Sequence, residues 1–248
     1  MKSEVNNEAH EVSSDVDAKP AQQNCTHDAS VGTGQPHVDP REAARYLGYR
    51  GTQPDSTVEA MIEDCIAEVE AAAVPRSIHE RFPLNFTGDD TFQVASLRLK
   101  SRSLQRNLAG CGEVYLFAAT LGIAVDTLIR RASLMDTAKG AVMQAAAAAV
   151  IEAFCDAENE KMRREAESEG LYLRPRFSPG YGDLSLDCQR DFLNLLKAQK
   201  NIGLTVTDSG LMVPIKSVTA IIGISTTNSS CHLQGCEVCP KTDCAFRR

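Results

Sequence analysis

Apolar residues recur along this chain with two different periods, and these periods predict where helices and strands lie. In residues 57–73 the apolar side chains fall at i, i+3, i+4 and i+7, the spacing of one helix face. Helical spacing also predicts helices over residues 41–49, 103–108, 125–132, 136–169 and 186–198. Partial alternation and short apolar runs predict strands over residues 76–84, 91–99, 113–119, 203–207, 211–214 and 217–224. This order contains no βαβαβ series, so we expect an α+β fold: a single domain with a central antiparallel sheet and flanking helices, including one long helix.

Polar and glycine residues mark several ends of these elements. Ser56 and Glu59 have the spacing of a capping box at the start of the second helix. Asp136 can cap the long helix, and Gly170 can end it. Residues 145–149 of that helix are all alanine, so a neighbouring element can approach it closely.

Composition divides the chain into three parts. Residues 1–40 contain no Leu, Ile or aromatic residue, and their two lysines and seven acids carry five of the seven excess negative charges. Too little apolar area is available there to offset the entropy of ordering, which predicts a disordered acidic tail. Residues 41–228 form the predicted domain, and residues 229–248 form a cysteine-rich tail.

Charge and hydropathy exclude several classes of protein. The remainder of the chain is nearly neutral, which argues against a nucleic-acid-binding surface. No apolar run approaches the roughly 20 residues of a membrane span, and no signal peptide is recognisable. We therefore expect a cytoplasmic protein whose nine cysteines are reduced rather than paired in disulfides.

Prolines, glycines, arginines and an aromatic residue are most concentrated in residues 174–183, which we interpret as a ligand-binding loop. Two prolines and two glycines there prevent a helix from running through. Arg174 and Arg176 are two residues apart, which places them on the same side of an extended chain. Their guanidinium groups suit a carboxylate, and Tyr181 offers a flat ring with a hydroxyl group. The pattern fits an amino-acid-like ligand, and it also fits an exposed turn with two solvated arginines.

Four cysteines near the end of the chain have the spacing of metal ligands. They are Cys231, Cys236, Cys239 and Cys244. Four thiolates at such intervals suit tetrahedral zinc or an iron–sulfur cluster, and the spacing does not distinguish the two. The alternative is a free cysteine-rich end without metal.

The loop and its context resemble a known family. Arg176, Gly180 and Tyr181 form an Arg-x-x-x-Gly-Tyr motif. It is accompanied by Arg-Tyr-Leu-Gly-Tyr-Arg at residues 45–50, by Leu-Phe-Ala-Ala-Thr-Leu-Gly at residues 116–122, and by Ile-Glu-Ala-Phe upstream of the loop. In this order they resemble the AdoMet-binding activation domain of cobalamin-dependent methionine synthase.

The resemblance implies a role for each residue of the loop. Arg176 would pair with the carboxylate of S-adenosylmethionine (AdoMet), and Arg174 would be a second anchor. Gly180 would admit the ligand against the backbone, and Tyr181 would pack on it or hydrogen-bond to it. Glu152 would lie near the ligand's amino group, although an ordinary helix glutamate is nearly as good an interpretation.

The same resemblance implies a reactivation subunit that supports reductive methylation of cob(II)alamin on a partner. The partner would be a cobalamin-binding methionine synthase or related corrinoid protein, with a flavodoxin-like or ferredoxin-like electron donor. The chain contains no Asp-x-His-x-x-Gly corrinoid motif, so we expect a free-standing subunit rather than a complete methionine synthase. Two alternatives stay open: an iron–sulfur electron-transfer activator of corrinoid proteins acting through the cysteine tail, and a metal-stabilised interaction module with a vestigial ligand pocket.

Overall fold

The computed structural model describes residues 38–228, and a six-stranded antiparallel sheet lies at its centre. The strands in chain order are β1 Arg76–Phe86, β2 Thr91–Val94, β3 Leu97–Lys100, β4 Glu113–Thr120, β5 Tyr172–Leu173, β6 Thr205–Val206, β7 Met212–Val213 and β8 Ser217–Ser225. The order across the sheet is β3-β2-β1-β4-β8-β5, and β6 and β7 form a separate hairpin. All pairs are antiparallel, as the sequence predicts.

The helices cover both faces of the sheet. They are α1 Pro40–Tyr46, α2 Ser56–Ala72, α3 Arg102–Asn107, α4 Ile123–Met135, α5 Thr137–Ser168, α6 Gln189–Leu195 and α7 Ala198–Ile202, with a short 3₁₀ turn at Leu186–Cys188. Helices α1, α2, α4 and α5 enclose one core with the sheet. Helices α3, α6 and α7 and the β6–β7 hairpin enclose the other. The predicted α+β class with one long helix is therefore confirmed.

Strand β4 is apolar because both of its faces are covered. Phe117 and Ala119 point into the core beneath α5. Leu116 and Ala118 point into the core beneath α6 and α7. With β1 on one side and β8 on the other, the strand is central, as its nearly continuous apolar run predicts.

Helix α5 packs along the first core through its small residues. A Cβ atom at Gly140 would lie 2.6 Å from the Cα of Ser133, so α4 and α5 touch closely at their connection. Within residues 38–228, α5 is also long and apolar enough by composition to cross a membrane. Helix α5 therefore corrects the expectation that no apolar run approaches the length of a membrane span. More than half of the apolar stretch is buried inside the protein, as in a core helix.

Several element boundaries differ from prediction for local reasons. Residues 91–99 are two strands, because Ala95 has a φ of 50° and turns the chain into a tight hairpin. Residues 186–198 are likewise not one helix, because Lys197 is left-handed and separates α6 from α7. Helix α2 is capped by Asp55, whose carboxylate accepts from the N–H groups of residues 57 and 58, and not by Ser56.

The folded domain begins slightly before the predicted boundary at residue 41. Val38 is buried against the first core, and Asp39 accepts a hydrogen bond of 2.9 Å from the backbone N–H of Arg41 to cap α1. The rest of the predicted acidic tail, and the predicted cysteine-rich tail at residues 229–248, lie outside the described residues.

Candidate ligand-binding site

The predicted loop begins with an irregular pairing against β8. Arg174 donates its backbone N–H to the carbonyl of Gly223 (2.8 Å), and Phe177 donates to Ile221 (2.9 Å). Between these two pairs, Pro175 and Arg176 stand opposite the single residue Ile222, which makes a β-bulge. The extra residue breaks the alternation of side chains, so Arg174 and Arg176 emerge on opposite faces of the sheet. The expectation that the two arginines share one side is therefore wrong.

Arg174 belongs to the core beneath α3. Only 8% of the residue is exposed, and its Nη2 donates 2.9 Å to the carbonyl of Ala109. It runs across Gly223, where a Cβ atom would lie 2.9 Å from Arg174 Cγ and 2.7 Å from Cys111 Sγ. Glycine at 223 thus provides the space that the arginine stem fills. This placement favours a structural role over that of a second ligand anchor.

Arg176 turns the other way, toward helix α5. Its Nη2 donates to the carboxylates of Glu152 (3.1 Å) and Asp156 (2.7 Å), which are one helical turn apart. Its Nη1 is buried and has no hydrogen-bond partner among residues 38–228. A buried guanidinium nitrogen without an acceptor is costly, and it leaves Arg176 with an unused hydrogen-bond donor.

Asp156 was not predicted, although its spacing from Glu152 could have indicated it. It lies four residues after Glu152, and residues at that spacing share one helix face. Between them, Cys155 points into the core, and burial raises the pKa of its thiol to about 12. Cys155 is therefore a packed thiol and not a nucleophile at neutral pH.

Hydrogen bonds between backbone groups of the loop after Phe177 fix its shape. Gly180 donates 2.8 Å to the carbonyl of Leu184, whose N–H donates 3.1 Å to the carbonyl of Tyr181. Tyr181 is 63% exposed and packs edge-on against Phe177, with the ring centroids 5.5 Å apart. The ring of Tyr181 is therefore exposed on a loop whose shape is fixed by backbone hydrogen bonds.

Gly180 lies at a turn of the loop, next to the side chain of Leu186. Its φ of 86° is a conformation that glycine adopts without strain. A Cβ atom there would lie 3.0 Å from Leu186 Cδ2, so the space beside the Cα is occupied by a side chain of the protein. The expectation that Gly180 admits a ligand against the backbone stays a prediction, and it would require the Leu186 side chain to move aside.

Asp183 fastens the loop to helix α3 and was not predicted. Its carboxylate accepts from the Ser101 hydroxyl and from the backbone N–H groups of Arg102 (2.9 Å) and Ser103 (3.1 Å). These hydrogen bonds, led by that from Ser101, lower the pKa of Asp183. The partners are about eighty positions away in sequence, which is why no local pattern revealed them.

Metal binding in the described part of the chain has no support. Residues 38–228 contain no group of three or more His, Cys, Asp or Glu side chains that could hold a metal ion. No disulfide is formed by the cysteines of this part, which are Cys65, Cys111, Cys155 and Cys188. The predicted metal ligands Cys231, Cys236, Cys239 and Cys244 lie outside the described residues.

Comparison with known proteins agrees with this architecture. One solved structure, described as the MetH reactivation domain bound to AdoHcy, superposes with a TM-score of 0.53 over 77% of this chain and 76% of that one. At 19% sequence identity, this likeness shows a shared fold. No curated protein matches the chain. The family model described as "Vitamin B12 dependent methionine synthase, activation domain" matches residues 109–235, which include the bulge, the loop and strand β8. The chain therefore belongs to the family of vitamin B12 dependent methionine synthase activation domains.

Proposed function

We propose that this chain binds AdoMet at Arg176, Glu152 and Tyr181 and presents it to cobalamin carried by a partner protein. The observation that carries the proposal is the contact between Arg176 and Glu152. A cationic and an anionic side chain side by side complement the carboxylate and ammonium groups of an amino acid. AdoMet ends in such a zwitterion, and the related reactivation domain of known structure is described as bound to AdoHcy.

The geometry supports a distinct task for each side chain. Arg176 offers the buried nitrogen Nη1, which lacks an acceptor in residues 38–228, to the ligand carboxylate. Glu152 is half-buried on α5 and can accept from the ligand ammonium. Tyr181 lies across the sheet edge, against Phe177 of the opposite core. A ligand touching all three would cross the edge formed by the short strand β5.

The contribution of the protein to the reaction is positioning. The partner's cobalamin would supply the reduced cobalt that accepts a methyl group. The closed loop and the α5 carboxylates would hold AdoMet in one orientation before the partner arrives, which reduces the entropy cost of productive contact. A flavodoxin-like or ferredoxin-like protein would supply the electron.

Calorimetric titration of AdoMet into wild-type protein, Arg176→Ala and Arg190→Ala tests the ligand. Arg190 is a matched control because it also pairs with one aspartate, Asp208 (3.0 Å), but belongs to α6 in the other core layer. We expect Arg176→Ala to weaken binding about 10- to 100-fold, or about 1.5–3 kcal/mol, the range for hydrogen bonds to charged groups. Arg190→Ala should bind as wild type. No saturable binding, or equal losses in both variants, would contradict the proposal.

A second experiment tests the partner. A cobalamin-dependent methionine synthase without its own activation domain, in the inactive cob(II)alamin state, is mixed with this chain, AdoMet and a chemical reductant. We expect the visible spectrum to change to that of methylcobalamin with wild-type protein and not with Arg176→Ala. If AdoMet is not bound even with the partner present, the chain is instead an interaction module with a vestigial pocket.

We also propose that the cysteine tail binds a metal, because the spacing of its four cysteines suits tetrahedral thiolate coordination. Anaerobic purification with metal analysis and a visible spectrum distinguishes the possible metals. Brown protein containing iron and sulfide favours electron transfer to corrinoid proteins. Colourless protein containing zinc favours a structural tail. Protein without metal, or metal retained after all four cysteines are changed to serine, would refute a site in the tail.

A further inference from the structure

Helix α4 has an outer face that residues 38–228 leave exposed. The opposite face is buried in the first core through Val125, Ile129 and Ala132. On the outer face, Ile123 is 60% exposed, Leu134 is 80% exposed and Met135 is 78% exposed. Ile123 and Leu134 are separated by about three helical turns, so they lie on one line along the helix. Large apolar side chains exposed together on one surface mark a place where another segment binds.

Two arginines lie among these apolar residues. Arg130 and Arg131 are exposed, and neither forms a salt bridge with a carboxylate of residues 38–228. The single acid within α4 is Asp126, whose Oδ2 accepts 2.8 Å from the backbone N–H of Ile215. The outer face is therefore both cationic and apolar. Arginine and methionine are enriched in the contact surfaces of proteins, and an acidic, partly apolar segment complements such a face.

The N-terminal part of the chain carries the complementary pattern in its sequence. Four acids are each followed by a small apolar residue. The acids are Glu4, Glu8, Glu11 and Asp15, and the apolar residues are Val5, Ala9, Val12 and Val16. Both sets recur at i, i+4, i+7 and i+11, the spacing of one helix face, so the pattern predicts two adjoining stripes. Valine, asparagine and serine are weak helix formers, so these stripes need a surface to bind.

The chain between this segment and the domain is long enough to reach α4. Val38, the first described residue, is buried in the core that α4 also encloses. Residues 18–37 can extend over about 65 Å at roughly 3.3 Å per residue. Helix α4 has 13 residues and is about 20 Å long. A covalent tether also keeps the segment at a high local concentration, so weak individual contacts suffice.

We propose that residues 4–17 of this chain bind the outer face of α4, with their acids paired to Arg130 and Arg131. Their apolar residues then cover Leu134 and Met135, the most exposed large apolar side chains of the described domain. The acidic N-terminal segment is thus a covering element of the domain. The contact is reversible and weakened by salt, because its ion pairs lie at the surface.

Hydroxyl-radical footprinting of the full chain measures the cover on Met135. The test variant is Arg130→Gln with Arg131→Gln. The matched control is Arg163→Gln with Arg190→Gln, which removes two arginines from α5 and α6. We expect the test variant to raise the oxidation rate of Met135 about 2- to 5-fold, as the loss of exposed ion pairs predicts, and the control to match the wild type.

The segment itself gives the reciprocal test. Changing its four acids to the corresponding amides should raise Met135 oxidation as much as the arginine substitutions do, without altering the surroundings of Met135. About 500 mM potassium chloride should have the same effect on the wild type, because the Debye length shortens to a few ångströms.

Exchanging the charges tests direct pairing. Arg130→Glu with Arg131→Glu should expose Met135, and adding Glu8→Lys with Glu11→Lys should cover it again. Equal oxidation of Met135 in the wild type and in the amide variant would overturn the inference. Oxidation of the wild type that rises on dilution of the protein would also overturn it, because the covering segment would then belong to a second copy of the chain.

Discussion

Phe177 and Ile221 exchange both of their backbone hydrogen bonds, at 2.9 and 2.8 Å, one residue out of step with the pairing of β5 and β8. This pair closes the bulge that sends Arg174 and Arg176 to opposite faces. Without the bulge, both guanidinium groups would lie on one side, as the alternation of an extended chain requires. The register therefore decides which arginine faces the carboxylates of α5, where we propose that the ligand binds.

The two arginines should respond oppositely to truncation. Arg174→Ala removes a buried stem and its hydrogen bond to Ala109, so we expect the free energy of unfolding to fall by about 1–3 kcal/mol. AdoMet affinity should stay near that of the wild type. Arg176→Ala should change the affinity far more than the stability. Urea unfolding and calorimetry on both variants check this, and loss of affinity in a folded Arg174→Ala protein would make Arg174 a ligand anchor after all.

Asp183 should make the domain sensitive to acid. Its hydrogen bonds hold the pKa below the ordinary value of about 3.9. A carboxylate with a lowered pKa in the folded state contributes stability above its ordinary pKa, and that stability is lost as the pH falls toward the native pKa. We expect Asp183→Asn to lower the urea midpoint at pH 6 and to approach the wild type as the pH falls below 4. A constant difference between the two proteins from pH 6 to pH 3 would exclude this role.

Gly180→Ala should lower the free energy of unfolding by more than backbone strain alone would. Gly180 and Gly210 have nearly the same φ, 86° and 84°, but a Cβ atom at 210 meets nothing within 4 Å. Each substitution should cost about 1–2 kcal/mol for the left-handed conformation. Gly180→Ala should additionally displace Leu186 and weaken AdoMet binding. Equal unfolding free energies and unchanged binding in the two variants would mean that Leu186 moves aside freely.

Gly140→Ala should destabilise the protein although it improves helix propensity. Alanine in place of glycine stabilises a helix by about 1 kcal/mol. Ala141→Gly, at an exposed position of α5, measures this difference in helix propensity in the same helix. At residue 140 the new Cβ would lie 2.6 Å from the backbone of Ser133. We expect a net loss of about 1–3 kcal/mol in urea unfolding, as for overpacked cores. A net gain would show that α4 and α5 can separate.

The thiols of the described domain should resist alkylation in the native state. Burial raises the pKa of Cys155 to about 12 and that of Cys188 to about 11. At pH 8 both are almost entirely protonated, and the thiolate is the reactive form. Mass spectrometry after a short iodoacetamide pulse should find both unmodified until denaturant is added. Rapid native labelling of Cys155 would mean that α5 opens locally.

Much of the fold could be predicted because its signals are local. The apolar run of β4 and the caps of α5 are encoded in neighbouring residues, and both elements lie where the sequence predicts them. The hairpin at Ala95 and the break at Lys197 were missed because non-glycine residues adopt a positive φ there. Only the surrounding structure makes that conformation favourable.

The candidate site also contains parts that local sequence predicts and parts that it does not. The Arg-x-x-x-Gly-Tyr motif marked Arg176 and Tyr181, and the structure places Glu152 beside Arg176. The face on which Arg176 emerges depends on a bulge against β8. The position of the loop depends on the hydrogen bond that the Asp183 carboxylate accepts from the Ser101 hydroxyl. Both depend on contacts distant in sequence, which spacing alone cannot reveal.

Strand β8 has a consequence for the order of folding. It pairs with β4 from Glu113–Ile224 to Thr120–Ser217, so the central pairing joins segments about a hundred positions apart. Such distant contacts form slowly, because a long loop must close before they are gained. The backbone partners of Arg174 and Phe177 also come from β8. During synthesis, the loop of residues 174–183 therefore takes its final shape only after β8 has left the ribosome. A chain shortened before residue 217 would lose the proposed binding site together with its core.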